Sequence, residues 1–157
     1  MEKSGKLWVK GVRAMLLGEY EHTIDAKGRI AMPAKLREAL GAHFMITKGL
    51  DGCLFVYDTE EWQRLEQKLA ALPMSRKTAR DFTRFLFGGA CEAECDKQGR
   101  VLLPNNLRRH ASLTKEAVIV GVGNHAEIWD AARWQQYNEE SAEDVNELAE
   151  QLADLGI

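Results

Sequence analysis

Apolar positions along this chain fall into two kinds of pattern, and each kind occurs twice. Short apolar runs at Phe44 to Thr47, Leu54 to Tyr57, Ala117 to Val120 and Ala126 to Trp129 predict strands. Glycine-rich stretches, Gly49 to Gly52 and Gly121 to Asn124, separate the members of each pair as turns. An aspartate follows each pair, Asp58 or Asp130, in position to cap a helix. The helices then place Trp62, Leu65 and Leu69 on one face in the first half, and Trp134 with Tyr137 in the second.

Upstream of the apolar runs the halves also match. Tyr20 to Ile24 and Cys91 to Cys95 read as strands that enter turns, with Asp first and Gly fourth: Asp25 to Gly28 and Asp96 to Gly99. That is the signature of a type I turn with a bulge-forming glycine. Short strands follow at Arg29 to Met32 and Arg100 to Leu103. Pro33 and Pro104 end them and can open the helices Ala34 to Leu40 and Asn105 to His110. Between the halves, Pro73 breaks the chain and Ser75 is predicted to cap a helix running to about Phe87. One side of it carries Arg76, Lys77, Arg80 and Arg84, and another Phe82, Phe85 and Leu86. After the second half, Val145, Leu148, Leu152 and Leu155 recur at helical spacing among acidic residues. This predicts one amphipathic C-terminal helix whose narrow apolar stripe needs a partner surface.

These parallels are a sequence repeat. Shifted by 71 positions, Asp25/Asp96, Gly28/Gly99, Arg29/Arg100, Pro33/Pro104, Leu36/Leu107 and Arg37/Arg108 coincide; after one inserted residue, Gly49/Gly121, Asp58/Asp130 and Trp62/Trp134 do as well. One structural unit used twice predicts approximate internal two-fold symmetry. It also presents each surface group twice, which suits a repetitive or dyadic target better than a single catalytic pocket. The segment 1–14 has no counterpart in the repeat and reads as an upstream extension or flexible arm, with Met15 an alternative start.

Charge sharpens the picture. The net charge of −3 argues superficially against a nucleic-acid partner. Its distribution argues the other way. Segment 25–37 carries Lys27, Arg29, Lys35 and Arg37 against Asp25; segment 96–109 carries Lys97, Arg100, Arg108 and Arg109 against Asp96; each is +3. Residues 135–157 hold seven acidic side chains and no Lys or Arg.

Other chemistry is sparse. The three cysteines, Cys53, Cys91 and Cys95, fit buried reduced thiols, and no CxxC or HxxxH spacing supplies a metal site. His22, His43, His110 and His125 are scattered away from any nucleophile or carboxylate dyad, and Gly49 to Gly52 lacks the P-loop pattern. Trp62 and Trp134 read as core or interface anchors. Arg37 and Arg108 read as solvated or paired with Glu38 or the acidic tail, and the stripe at Arg76, Lys77, Arg80 and Arg84 as a subunit contact or solvated face. No window reaches the roughly 18 apolar residues of a membrane span, and the N-terminus lacks the apolar run of a signal peptide. The expectation is a cytoplasmic protein with no membrane or small-molecule partner, no cofactor and no catalytic site.

The turn itself can bind an anion. A tight hairpin projects Lys27 and Arg29 from a stiff base, so little entropy is lost on contact. Arginine offers a planar fork for phosphate or a guanine edge, and lysine a point charge for phosphate. Asp25 and Asp96 would hold the turns by accepting backbone N–H bonds. The alternative is that Asp25–Arg29 and Asp96–Arg100 are surface ion pairs without a binding role, each worth about 0–1 kcal/mol.

The repeated Asp-x-x-Gly-Arg-[Ile/Val]-x-x-Pro-x-x-Leu-Arg resembles the AbrB/MazE swapped-hairpin DNA-binding domain. Two copies in one chain resemble the MraZ family of bacterial transcriptional regulators. Gly18-Glu19-Tyr20, Leu54 to Tyr57 with Trp62, Arg84-Phe85-Leu86-Phe87 and Glu127-Ile128-Trp129-Asp130 add to the likeness, which spans roughly Met15 to Tyr137. The resemblance implies binding to short double-stranded DNA repeats upstream of the protein's own cell-division and cell-wall operon, mostly as a repressor. It also implies a ring-shaped homo-oligomer and association with the nucleoid. Carried over, the DNA-contacting residues are Lys27 and Arg29 in the first copy and Arg100 in the second, with Asp25, Gly28, Asp96 and Gly99 shaping the turns. Gln98 stands where the first copy has Lys27, and Lys97, one place earlier, is the candidate replacement.

The expected architecture is therefore α+β: two AbrB-like units, 17–62 and 88–134, interlocked in a small pseudo-two-fold β-barrel with peripheral helices. Segment 63–87 would supply connecting helices, and 135–157 the acidic amphipathic helix. Two other functions stay open at this point: an antitoxin-like DNA-binding module whose tail wraps a protein partner, and a structural ring that does not bind DNA.

Overall fold

The computed structural model describes residues 15–142 and 144–156, so the extension assigned to 1–14 lies outside the described residues. The fold is α+β. Each half contributes four strands in the same order. The first half supplies β1 (Leu16–Thr23), β2 (Arg29–Ala31), β3 (Phe44–Lys48) and β4 (Leu54–Asp58), with α1 (Ala34–Leu40) after β2 and α2 (Thr59–Ala70) after β4. α3 (Lys77–Gly88) connects the halves. The second half supplies β5 (Cys91–Ala93), β6 (Arg100–Leu102), α4 (Asn105–His110), β7 (Glu116–Gly123), β8 (Ala126–Asp130) and α5 (Ala131–Ala142), followed by α6 (Val145–Gln151).

The halves do not fold side by side; they exchange strands. A six-stranded antiparallel sheet runs in the order β1-β7-β8-β4-β3-β5, and β2 pairs with β6 in a separate two-stranded ribbon. β1 of the first half therefore lies on β7 of the second, and β5 of the second on β3 of the first. Two pairings join equivalent strands. In the ribbon Ile30 faces Val101, flanked by Arg29–Leu102 and Ala31–Arg100. In the sheet Phe55 faces Glu127, flanked by Leu54–Ile128 and Val56–Ala126. Each flanking pair is the other with the halves interchanged, so a pseudo-two-fold axis passes through both centres.

The sheet is not the closed barrel expected from the sequence. β1 and β5 are its edges, and no hydrogen-bonded ladder joins them among the described residues. The reason lies in the short strands. β5 has only three residues, and the three-residue β2 and β6 form a ladder with each other rather than with either sheet edge, the Ile24–Ile30 contact being an isolated bridge. Side chains nevertheless fill the space between ribbon and sheet. Ile30, Leu36, Phe44, Ile46 and Leu54 from one half and Val101, Leu103, Leu107, Ile119 and Ile128 from the other are at most 2% exposed and form one apolar cluster. Burying a side chain of this size contributes about 1.5–3 kcal/mol. Neither half could keep that contribution without the other.

Several local expectations hold and several do not. Asp58 caps α2, accepting from the Glu61 N–H at 2.8 Å, and Trp62 and Leu69 bury one face of that helix. Asp130 accepts from the Arg133 N–H at 3.3 Å, and Trp129 packs on Trp134 and Tyr137. Ser75 does not cap α3; the cap position is Arg76, without a side-chain cap bond, and Ser75 sits in the preceding turn. Cys95 lies beyond the end of β5, although it and Cys91 both pack on the core. The glycines at 121 and 123 belong to β7 rather than to the turn, which tightens to Asn124 and His125. The tail is not one helix: α5, α6 and a 3-10 turn (Ala153–Leu155) follow one another, and Val145, Leu148, Leu152 and Leu155 are all exposed.

Candidate nucleic-acid interface

The two Asp-x-x-Gly turns are built alike. In the first, the Gly28 N–H donates to the Asp25 carbonyl oxygen at 2.9 Å, and the Asp25 N–H to the Arg29 carbonyl at 2.9 Å. The second repeats both bonds at 2.9 and 2.8 Å between Gly99, Asp96 and Arg100. Closing this loop puts Gly28 at φ +87° and Gly99 at φ +78°, which a Cβ disfavours.

The aspartates hold the rest. Asp25 Oδ1 accepts the N–H groups of Lys27 (3.0 Å) and Arg29 (2.9 Å), and its Oδ2 takes Arg29 Nε at 2.8 Å. Asp96 Oδ1 accepts from Gln98 and Arg100 (both 2.9 Å), and its Oδ2 takes Arg100 Nε at 3.0 Å. The Arg29 and Arg100 N–H bonds foremost, against some desolvation, hold both carboxyls below their ordinary pKa. The aspartates are thus turn-shaping acceptors and arginine anchors at once. Each arginine is gripped at Nε, which fixes the plane of its guanidinium, and its side chain stays about 30% exposed.

The β2–β6 ribbon brings the turns together. Arg29 and Arg100 flank the Ile30–Val101 centre from opposite sides, and Arg100 Nη1 reaches within 3.8 Å of Asp25 Oδ2. Lys27 and Lys97 are exposed and form no ion pair among the described residues. All four basic residues singled out from the sequence therefore stand on the two turns that the ribbon joins.

Arg37 and Arg108 behave differently from the sequence expectation. Among the described residues, neither pairs with Glu38 or the tail. Arg37 Nε donates to the Met32 carbonyl at 3.0 Å, and Arg108 Nε to the Leu103 carbonyl at 2.9 Å. Their guanidinium groups cross to the opposite half. A Cβ at Gly99 would stand 3.1 Å from Arg37 Cζ, and one at Gly28 would stand 2.8 Å from Arg108 Cζ. The repeat contained the signal, since Arg37 and Arg108 coincide in it; spacing within one unit could not show that the contact is made to the other.

Elsewhere the chemistry is structural. Burial pushes the thiols of Cys53, Cys91 and Cys95 up, so they are protonated near neutral pH. No group of three or more His, Cys, Asp or Glu among the described residues is placed to hold a metal. No helix among them is long and apolar enough to cross a membrane.

Two α+β units that exchange strands and present paired basic turns define a class of small pseudo-two-fold proteins built from a tandem repeat. The chain matches the family described as "MraZ protein, putative antitoxin-like" twice, over residues 15–85 and 86–155. It is 58% identical over 143 residues to the Transcriptional regulator MraZ of Heliobacterium modesticaldum, covering 91% of this chain and all of that protein. Identity to the regulator of the same name from Alkaliphilus oremlandii is 54% over 143 residues, with the same coverage. For that of Limosilactobacillus reuteri it is 57% over 138 residues, 88% of this chain and 97% of the relative. The chain belongs to the MraZ family, and these three relatives are each named as a transcriptional regulator rather than as an enzyme.

Proposed function

We propose that this protein is a sequence-specific DNA-binding transcriptional regulator whose contact surface is the pair of turns at 25–29 and 96–100. Arg29 and Arg100 are its directed donors, Lys27 and Lys97 its phosphate contacts, and Asp25, Gly28, Asp96 and Gly99 the groups that fix its shape. The observation that carries the reading is the meeting of the two turns across the ribbon, with both arginines gripped at Nε and still partly exposed. A guanidinium held in one plane loses little entropy on binding a phosphate or a base edge. Segments 17–62 and 88–134 act as the two binding units, joined by the helices of 63–87.

The targets are short repeats upstream of the protein's own cell-division and cell-wall operon, where it acts mostly as a repressor within the nucleoid. The two turns of each chain offer only a few cations, and the tail is acidic. Strong binding therefore draws on several copies at once, as a ring of subunits aligned with repeated sites would provide.

Fluorescence anisotropy on the DNA just upstream of the gene, titrated with salt, tests this. Wild-type affinity should fall linearly in log–log against salt as phosphate contacts release counterions. Arg29→Ala/Arg100→Ala should lose specific binding with its melting temperature unchanged. Failure of the wild type to bind at low salt would sink the reading.

A second reading keeps one observation in its favour. Val145, Leu148, Leu152 and Leu155 are exposed in an acidic tail, and the family description is antitoxin-like. An antitoxin-like module would use this tail to hold a protein partner. A partner captured by the full chain but not by one carrying Leu148→Ser/Leu152→Ser would support it.

A further inference from the structure

The contacts of Arg37 and Arg108 form two closed circuits, each spanning both halves. In one, the Met32 N–H donates to the Gly99 carbonyl at 2.8 Å, the Met32 carbonyl accepts Arg37 Nε at 3.0 Å, and the Arg37 guanidinium lies against Gly99. In the other, the Leu103 N–H donates to the Gly28 carbonyl at 2.9 Å, the Leu103 carbonyl accepts Arg108 Nε at 2.9 Å, and the Arg108 guanidinium lies against Gly28. Asn105 Oδ1 also accepts from Arg108 Nη2. Each circuit starts at the end of one unit's strand, passes through the first turn of its short helix and closes on the other unit's turn. Gly28 and Gly99 are both buried, so an added side chain would displace the arginine.

We propose that Arg37 and Arg108 are positioning residues that set the shape of the opposite unit's turn: Arg37 holds turn 96–99, and Arg108 holds turn 25–28. The two turns are then not independent binding elements. The α1 helix of the first unit governs the reading arginine of the second, and α4 governs that of the first. Through Gly99 and the adjoining Asp96–Arg100 contact, loss of Arg37 loosens Arg100 rather than Arg29. The inference rests on the reading of the turns as the contact surface, but the circuits can be tested without DNA.

The experiment has two arms on the full chain. The first is amide hydrogen exchange by NMR in Arg37→Met and Arg108→Met. Arg37→Met should speed exchange at Gln98, Gly99 and Arg100 by about fivefold, the size of one net hydrogen bond, and leave Lys27, Gly28 and Arg29 unchanged. Arg108→Met should do the reverse. Exchange that rises only in the turn of the substituted unit, or in neither turn, overturns the proposal. The two variants are separate trials, so one that fails to fold leaves the other decisive.

The second arm is the salt titration with Arg37→Met and Arg37→Lys. A positioning residue lowers affinity while the slope of log K against log salt stays the same, and lysine, which lacks the Nε fork, does not rescue. A direct phosphate contact removes about one unit of slope, and lysine restores it; that outcome would overturn the positioning role. Crossed exchange effects in a protein that does not bind DNA would support the circuits and refute the DNA reading instead.

Discussion

Among the described residues, Asp25 at the first turn faces two guanidinium groups, Arg29 at 2.8 Å and Arg100 at 3.8 Å, while Asp96 at the second faces Arg100 alone, at 3.0 Å. The exposed cations differ as well. The first turn displays Lys27, whereas the second displays Lys97 one position earlier and Gln98 in the matching place. Beneath these differences the backbones agree: the same Gly N–H to Asp carbonyl and Asp N–H to Arg carbonyl bonds, the same positive φ at glycine and the same arginine arriving from the opposite half. The contacts that hold the chain in shape have stayed duplicated, while the groups shown to solvent have drifted apart. A surface of this kind is two-fold in form but not in charge, so its halves should contribute unequally to an asymmetric site.

The sharpest way to break the comparison is through the shared core. Leu36 and Leu107 are repeat equivalents, 2% and 0% exposed. Leu36→Ala and Leu107→Ala should each cost about 2–5 kcal/mol, and urea unfolding should keep one transition in both. Two separate transitions would mean that the halves fold independently, against the strand exchange. At the next level, Gly28→Ala and Gly99→Ala force an L-residue to positive φ, at about 1–2 kcal/mol each, and each also pushes the new Cβ against the arginine from the opposite half, at 2.8 Å from Arg108 Cζ and 3.1 Å from Arg37 Cζ. Both should lower the melting temperature, Gly28→Ala more; a larger loss for Gly99→Ala would mean that its circuit is the tighter one.

Much of this arrangement was legible in the sequence because it is local. Asp-x-x-Gly specifies its own turn, proline starts the short helices, and Asp58 caps α2 through a carboxylate three residues from its donor. What escaped was non-local. Nothing near Arg37 in sequence announces Gly99, and the interlocking of the units was expected from the resemblance rather than from a unit's own periodicity, which gives no strand order. The closed barrel failed as an expectation because apolar pattern gives strand existence better than strand length, and β5 stops after three residues. The continuous tail helix failed for a related reason: the spacing of Val145, Leu148, Leu152 and Leu155 predicts helix, but their exposure leaves no packing to carry it unbroken through 135–157.

The aspartates give the third test. Asp25→Ala frees Arg29 and also removes the second carboxylate within reach of Arg100, whereas Asp96→Ala frees Arg100 alone and leaves it beside Asp25. DNA affinity at fixed salt should therefore fall further for Asp25→Ala than for Asp96→Ala. Equal losses would show that the 3.8 Å approach contributes nothing. Acid should act on both turns. Their carboxyl pKa values are lowered in the folded protein, so the ionised carboxylates stabilise the turns fully above the unfolded aspartate value of about 3.9. That stabilisation is lost as pH falls through the lowered folded values. Corrected for the intrinsic rate at each pH, exchange at Gly28 and Gly99 should keep its protection from pH 5 down to about 3.9 and lose it progressively below that.

The smallest effect concerns the cation that the second turn lacks. If Lys27 meets a phosphate, Lys27→Gln should reduce the salt slope by about one and weaken all DNA sequences alike, because a lysine–phosphate contact carries no base information. Gln98→Lys should then add about one unit of slope without altering sequence preference, giving the second turn what the first already has. Lys97 decides between two versions of this. If Lys97 already serves the second turn, Lys97→Gln should cost as much slope as Lys27→Gln, and Gln98→Lys should add little. If it does not, Lys97→Gln should be silent. The two outcomes separate a charge displaced along the turn from a charge lost, and so determine how far the exposed face of the repeat has departed from its duplicated frame.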